Sequence, residues 1–178
     1  MDFLVVPTLF FQVLYVLVII NHHRRKIEHI AITANPTSQW VAQQIREATP
    51  YGKIPKYLIH DNDTIFRAKL FQDFLENCNI KSKKTAIKSP WQNGISERCI
   101  GILRAELLNH IIPFNQKHLE QLLKEFVNDY YNPVRTHQGI GCKTPIPRKK
   151  LKVTKTENTL LISKPILNGL YCDYDKVA

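Results

Sequence analysis

The sequence predicts an α/β fold in which helices cover a central sheet, and three observations carry that expectation. The first twenty residues contain continuous Val/Ile/Leu-rich runs, the mark of strands buried on both faces. KIEHIAIT, residues 26–33, alternates apolar and polar side chains as a half-buried strand does. Beyond residue 35, apolar residues recur at three- and four-residue spacing, the period of amphipathic helices. Strands first, then strands and helices mixed, is the order of a sheet with helices packed on it. At 178 residues, 44% of them hydrophobic, the chain is long enough for one domain with an ordinary core.

FLVVPTLFFQVLYVLVII, residues 3–20, approaches the length of about 20 residues that spans a bilayer. However, Asp2 stands where a signal peptide carries positive charge, Pro7 and Thr8 break the run, and Gln12 lies inside it. Two buried strands turning near Pro7 and Thr8 are expected in place of a membrane segment, and with KIEHIAIT they make a three-stranded meander.

Asn35 and Pro36 read as the N-cap and first position of a helix whose apolar stripe is Trp40, Val41 and Ile45, ended by Pro50 and Gly52. KYLIH (56–60) is the next strand. Leu70, Phe71, Phe74, Leu75 and Cys78 define a helix, and IKSKKTA (80–86) a short strand after it. A helical pattern runs from Ile95 to about His110, and another through Leu119, Leu122, Leu123, Phe126, Val127 and Tyr130 up to the turn at Asn132 and Pro133. The expected core domain covers residues 1–145. A basic, proline-punctuated arm follows over 146–178, in which KPILNGLYCDYDKVA forms a short hairpin through Asn168 and Gly169.

Lys and Arg outnumber Asp and Glu by 25 to 15, a formal charge of +10 that points to a polyanion, nucleic acid before membrane. Cys78, Cys99, Cys142 and Cys172 are scattered, with no CxxC pair and no metal-ligand spacing to the seven histidines. They read as reduced cytosolic thiols, which disfavours a zinc finger and a disulfide scaffold alike.

The chemistry-bearing residues are acids. In SPWQNGISE (89–97), Glu97 sits at the head of a helix whose core arc is Ile95, Cys99, Ile102, Leu103 and Leu107. Glu97 lies off that arc with Gly101 and Arg104, a face open enough to admit a phosphate backbone. Taken alone it reads as a first-turn acid complementing the helix dipole, worth about 0.3–1 kcal/mol. Asp61 at the end of KYLIH and Asp2 at the head of the first strand add two more carboxylates. Three such acids can hold Mg²⁺ or Mn²⁺ through hard oxygen ligands, and a two-ion site clamps the attacking and leaving oxygens of a phosphoryl transfer.

These residues resemble the catalytic core of DDE transposases and retroviral-type integrases, most closely bacterial insertion-sequence transposases. MDF heads one strand, HDNDTIF ends another, and SPWQNGISER follows with 35 residues between Asp61 and Glu97. YNPVRTHQGIGCKTP is similar to the family's segment after the catalytic helix, so the resemblance runs from residue 2 to about Pro145. It implies an RNase H-like fold, a five-stranded mixed sheet with helices on both faces. It also implies Asp2, Asp61 and Glu97 as catalytic metal ligands for two Mg²⁺ or Mn²⁺ ions. Asp63, with 33 residues before Glu97, is the rival second acid and reads as a turn or rim residue.

The implied partners are DNA, both element ends and target, and further copies of the chain. The implied setting is the bacterial cytosol, with no membrane. Lys81, Lys83, Lys84 and Lys88 read either as phosphate contacts or as a solvated face. Asn93, in the tight loop beside DNA, and Arg104 are further expected DNA contacts, whereas Trp91 reads as a packing residue of the loop. Family members begin their first strand several residues ahead of the first acid, so a truncated first strand and a transposase fragment are expected. Two functions follow from this reading: metal-dependent strand transfer, or a catalytically degenerate nucleic-acid-binding domain.

Overall fold

The structure is a computed structural model that describes residues 1–50, 54–86, 90–147 and 160–177. It comprises two compact units. The first combines Met1–Asn21 with Ile27–Glu120, and the second combines His22–Lys26 with Gln121–Ala178.

In the first unit, β1 (Asp2–Pro7), β2 (Val13–Ile20) and β3 (Ile27–Thr33) form an antiparallel meander, with Asp2 opposite Val18 and Tyr15 opposite Thr33. The β1–β2 turn lies later than the sequence suggests. Thr8 N–H donates to Gln12 O, and the Gln12 N–H donates to the Thr8 hydroxyl, closing a loop in which Phe10 and Phe11 are 76% and 89% exposed. Those two rings at a hairpin tip explain why the run 3–20 looks long enough to cross a bilayer while folding as two strands. Among the described residues no helix is long and apolar enough to cross a membrane.

β2 is buried on both faces, as its unbroken apolar sequence requires. Leu17 packs into a cluster with Val41 and Ile45 of α1 (Ser38–Ala48) and Phe71, Phe74 and Leu75 of α3 (Lys69–Asn77). Its neighbours Val16 and Val18 point the other way and are also fully buried, on the side where α4 (Gly94–Leu103) packs on β1 and β2. Helices thus cover both faces of the meander. Removing these side chains from water contributes about 25 cal/mol per Å² of apolar surface and holds the layers together.

α1 begins two residues later than Asn35–Pro36 implies. Thr37 is the N-cap, its hydroxyl accepting from the Trp40 N–H at 3.1 Å, while the Asn35 N–H is spent on the Thr33 hydroxyl. Both residue types cap helices, and the local hydrogen bonds decide between them. Leu70, placed by spacing on the core stripe of α3, is 51% exposed.

β4 (Tyr57–His60) pairs in parallel with β5 (Lys81–Lys84), with α2 (Thr64–Arg67) and α3 between them in sequence. The expected single five-stranded sheet is corrected here: the five strands form one three-stranded and one two-stranded ladder. The two meet where the Met1 ammonium donates to Ile59 O at 2.7 Å.

α5 (Gln116–Glu125) continues through a wider, π-type turn over Phe126–Tyr131. In the second unit, β6 (Leu160–Ile166) and β7 (Tyr171–Val177) form a hairpin of two seven-residue strands. Its turn places Leu167, Asn168 and Gly169 at positive φ, which Asn and Gly tolerate best. Tyr171 stacks on Tyr130 at 3.8 Å and meets Phe126 edge-on, and the Glu125 carboxylate accepts from the Leu167 N–H.

Candidate active site

Asp2, at the start of β1, has both carboxylate oxygens engaged. Oδ1 accepts from the Phe3 N–H at 2.8 Å and Oδ2 from the Asn93 side-chain amide at 3.1 Å. Its carboxyl is pushed up to about 6, first by burial, then by the charges of Asp61 and Glu97; the Phe3 hydrogen bond and the chain's ammonium act the other way. Both other acids therefore lie close enough to act on Asp2.

The Met1 ammonium is pulled down to about 6 by burial, against the attraction of Asp2 and Asp61. Met1 itself is 2% exposed, and its nitrogen is hydrogen-bonded to β4.

Asp61 follows β4 directly. Its Oδ1 accepts weakly from the Asp63 N–H at 3.4 Å. Beside it, His60 is buried and joins the two strands of the ladder: one ring nitrogen meets the Asp61 carbonyl at 2.7 Å, the other the Ser82 hydroxyl at 2.8 Å. Burial holds its pKa below the ordinary histidine value. Sequence reasoning passed over His60, although a polar residue in the last, inward-facing position of a short strand was the available signal. Asp63, the rival second acid, is the N-cap of α2, accepting from the Ile65 N–H at 2.9 Å.

Glu97 lies in the first turn of α4 and is exposed, as are Gly101 and Arg104 on the same face. Asn93 does not face solvent as a DNA contact would. It is 3% exposed, its amide spent on Asp2 and its carbonyl oxygen buried without a partner among the described residues. That placement replaces the sequence-based reading of Asn93 as a groove-facing contact: the residue sits under the carboxylates because α4 packs on β1. Ser96, fully buried, also has a hydroxyl with no partner among the described residues.

Lys81, Lys83 and Lys84 are exposed along β5 and line, with Arg67, a cavity of about 790 Å³. Lys83 also lies over the Tyr57 ring. Lys88 and the Trp91 side chain fall outside the described residues.

Three carboxylates with no nitrogen or sulfur donor among them suit a hard divalent cation in their chemistry. Among the described residues, however, no group of three or more His, Cys, Asp or Glu side chains stands close enough to hold a metal ion. The acids influence one another without forming a closed ligand cage.

Comparison with known proteins bears on this arrangement. Residues 78–145, from the end of α3 through α4 to the loop after α5, match the Integrase core domain family model. A chain of the simian T-cell lymphotropic virus intasome, solved in complex with PP2A regulatory subunit B56 gamma, superposes with a TM-score of 0.66 at 17% identity. The alignment covers 96% of this chain and 63% of that one. The chain has the fold of an integrase catalytic core. The HTLV-2 integrase catalytic core domain in complex with magnesium aligns with a TM-score of 0.59 in its trimeric form and 0.58 in its dimeric form. Identities there are 17% and 16%, over 81% of this chain and 90% of each of those. No curated protein matches the sequence. Within this fold, Asp2 lies at the start of β1, Asp61 directly after β4 and Glu97 in the first turn of α4.

Proposed function

We propose that the chain is the catalytic core of a DNA-integrating or transposing enzyme that cleaves and joins phosphodiesters with Mg²⁺ or Mn²⁺. The observation that carries this reading is the placement of three acids on a core with the fold of integrase catalytic cores: Asp2 at the start of β1, Asp61 directly after β4 and Glu97 in the first turn of α4. After burial, the charges of Asp61 and Glu97 raise the Asp2 carboxyl, so acids from three separate elements, 59 and 36 positions apart in sequence, repel one another. A divalent cation relieves that repulsion.

Asp2, Asp61 and Glu97 would hold the cations, which when bound polarise the phosphodiester and lower the pKa of an attacking hydroxyl. The chain's own part is placement. Asn93 orients Asp2, His60 ties the strand end carrying Asp61 to β5, and the exposed start of α4 leaves Glu97 free to approach. Lys81, Lys83 and Lys84 offer phosphate contacts on β5, and Arg104 offers one on the Glu97 face. Assembly with further copies on DNA is part of the same proposal. So is the division into a core over 1–145 and a C-terminal arm over 146–178.

The decisive experiment incubates the purified chain with a labelled duplex and Mn²⁺ and follows nicking and strand joining. Activity abolished by Asp61→Asn and Glu97→Gln supports the reading; activity that survives both removes it. A second reading, a nucleic-acid-binding core without catalysis, is favoured by the lack of a closed three-ligand cluster among the described residues. DNA binding with no cleavage at any divalent-ion concentration selects it.

A further inference from the structure

The second unit holds a basic cavity that the carboxylate site does not use. The turn His22–Lys26, with sequence HHRRK, packs against the loop that follows the last helix. The Arg24 guanidinium donates to Pro145 O through Nε at 3.3 Å and Nη2 at 3.2 Å. Arg25 Nη1 donates to His22 O, and Arg25 itself takes a left-handed φ of 59°. Gly139 makes room for it: a Cβ there would sit 3.3 Å from two guanidinium nitrogens of Arg25. The loop is closed on itself by His137 N–H to Lys143 O and Cys142 N–H to His137 O, both 3.0 Å. Between turn and loop lies a cavity of about 680 Å³ with His23, Arg24 and Lys143 at its rim and Ile140 and Pro147 among its walls.

We propose that this cavity binds a phosphodiester of a polynucleotide, the phosphate between Arg24 and Lys143 and the sugar against Ile140 and Pro147. Among the described residues no Asp or Glu lines it. A planar guanidinium fixed by a carbonyl is pre-organised for a phosphate, and a lysine adds a second positive charge without geometric demand. A merely solvated basic turn would leave its arginines in water. Here Arg24 is anchored to a carbonyl 121 positions away, and the Arg25 guanidinium packs against Gly139, 3.3 Å from where a Cβ would stand. The volume falls within the range of small-ligand sites, about 300–1,000 Å³, and suits one nucleotide unit. The proposal rests on the polynucleotide reading above and adds to it a contact apart from β5 and α4.

The test uses the full chain and a fluorescent oligonucleotide, single-stranded in one arm and duplex in the other, with affinity read by anisotropy over a salt series. Lys143→Glu should weaken binding about 5–10-fold at low salt. Losing one phosphate contact should also make the log–log salt slope shallower by about 0.9 for duplex or 0.7 for single strand. Lys143→Gln should give a smaller change in the same direction, and circular dichroism checks that each variant folds. Inorganic phosphate should compete with the oligonucleotide more weakly in Lys143→Glu than in the unaltered chain. Unchanged affinity and slope in both variants overturns the proposal. If the combined Lys81, Lys83 and Lys84 to Glu variant still loses binding, the polynucleotide reading survives that result. An unaltered chain that binds an Asp/Glu-rich peptide and no oligonucleotide overturns both.

Discussion

The Asn93 side-chain amide donates to the Asp2 carboxylate at 3.1 Å, linking the residue just ahead of α4 to the first residue of β1 across 91 positions of sequence. One hydrogen bond thus couples the placement of Asp2 to the helix that carries Glu97. Asn93→Ala should lower cleavage and Mn²⁺ affinity by about 10–100-fold, the usual cost of losing a partner that orients a metal ligand. Its effect on stability should be small, because the variant also removes a buried carbonyl oxygen that has no partner among the described residues. Calorimetric Mn²⁺ titration beside a thermal melt separates the two, and a large loss of melting temperature with unchanged Mn²⁺ affinity would contradict the positioning role.

Glu97 is exposed at the head of its helix, so its removal should leave the fold alone. Glu97→Gln is expected to shift stability by no more than about 0.5 kcal/mol, the usual range for surface changes. Cleavage should fall at least a hundredfold in the same variant. Urea unfolding and a nicking assay on one preparation give both numbers.

The pH dependence has two opposing parts. The Asp2 carboxyl is raised in the folded state from 3.8 to about 6, so it favours folding below the lower value, and that contribution is lost as pH rises through about 6. The Met1 ammonium is lowered from 8.0 to about 6, so its contribution is present above 8 and lost as pH falls through about 6. Asp2→Asn should therefore gain melting temperature over the unaltered chain as pH is raised from 4 to about 6.5. Mn²⁺ binding should weaken below about pH 6, where Asp2 must first lose a proton. Melts across pH and Mn²⁺ titrations at pH 5.5 and 7.5 check each sign.

Replacing Lys81, Lys83 and Lys84 by Glu should weaken DNA binding and flatten its salt dependence, since backbone contacts act through counterion release. An unaltered salt slope would mean that β5 presents only a solvated face.

Phe66 is fully buried, with its ring 5.6 Å from Phe3 and 5.9 Å from Phe71. Phe66→Ala should cost about 3–5 kcal/mol by opening a cavity beside β4. Equilibrium denaturation measures it, and cleavage should suffer because His60, 5.3 Å from the same ring, loses support.

Much of this was legible in the sequence, for physical reasons. The meander follows from runs that only a two-faced buried strand accommodates, and the helices follow from spacing that puts Phe71, Phe74 and Leu75 on one side. The positions of Asp61 after a strand and of Glu97 in a helix's first turn were legible because strand ends and helix starts can be located from such patterns. Other features depended on tertiary contacts. Nothing local distinguishes Thr37 from Asn35 as a cap, or marks Leu70 as the exposed member of its stripe. The pairing of Asn93 with Asp2 depends on how α4 lies against β1. The split of the five strands into two ladders depends on which strands pair, and the apolar runs that mark each strand do not name its neighbour.

β5 has a lysine at three of its four positions, all exposed, and β4 is its one partner strand among the described residues. An open sheet edge is a template for adding another molecule's strand, and rows of lysine prevent this by repulsion between like charges. The residues proposed to meet phosphates would therefore also keep the protein dispersed. A polyanion that neutralises them removes that protection, so colloidal stability should depend on stoichiometry. Turbidity should be low with no DNA, rise near charge balance, and fall again when excess DNA gives every complex a net negative charge.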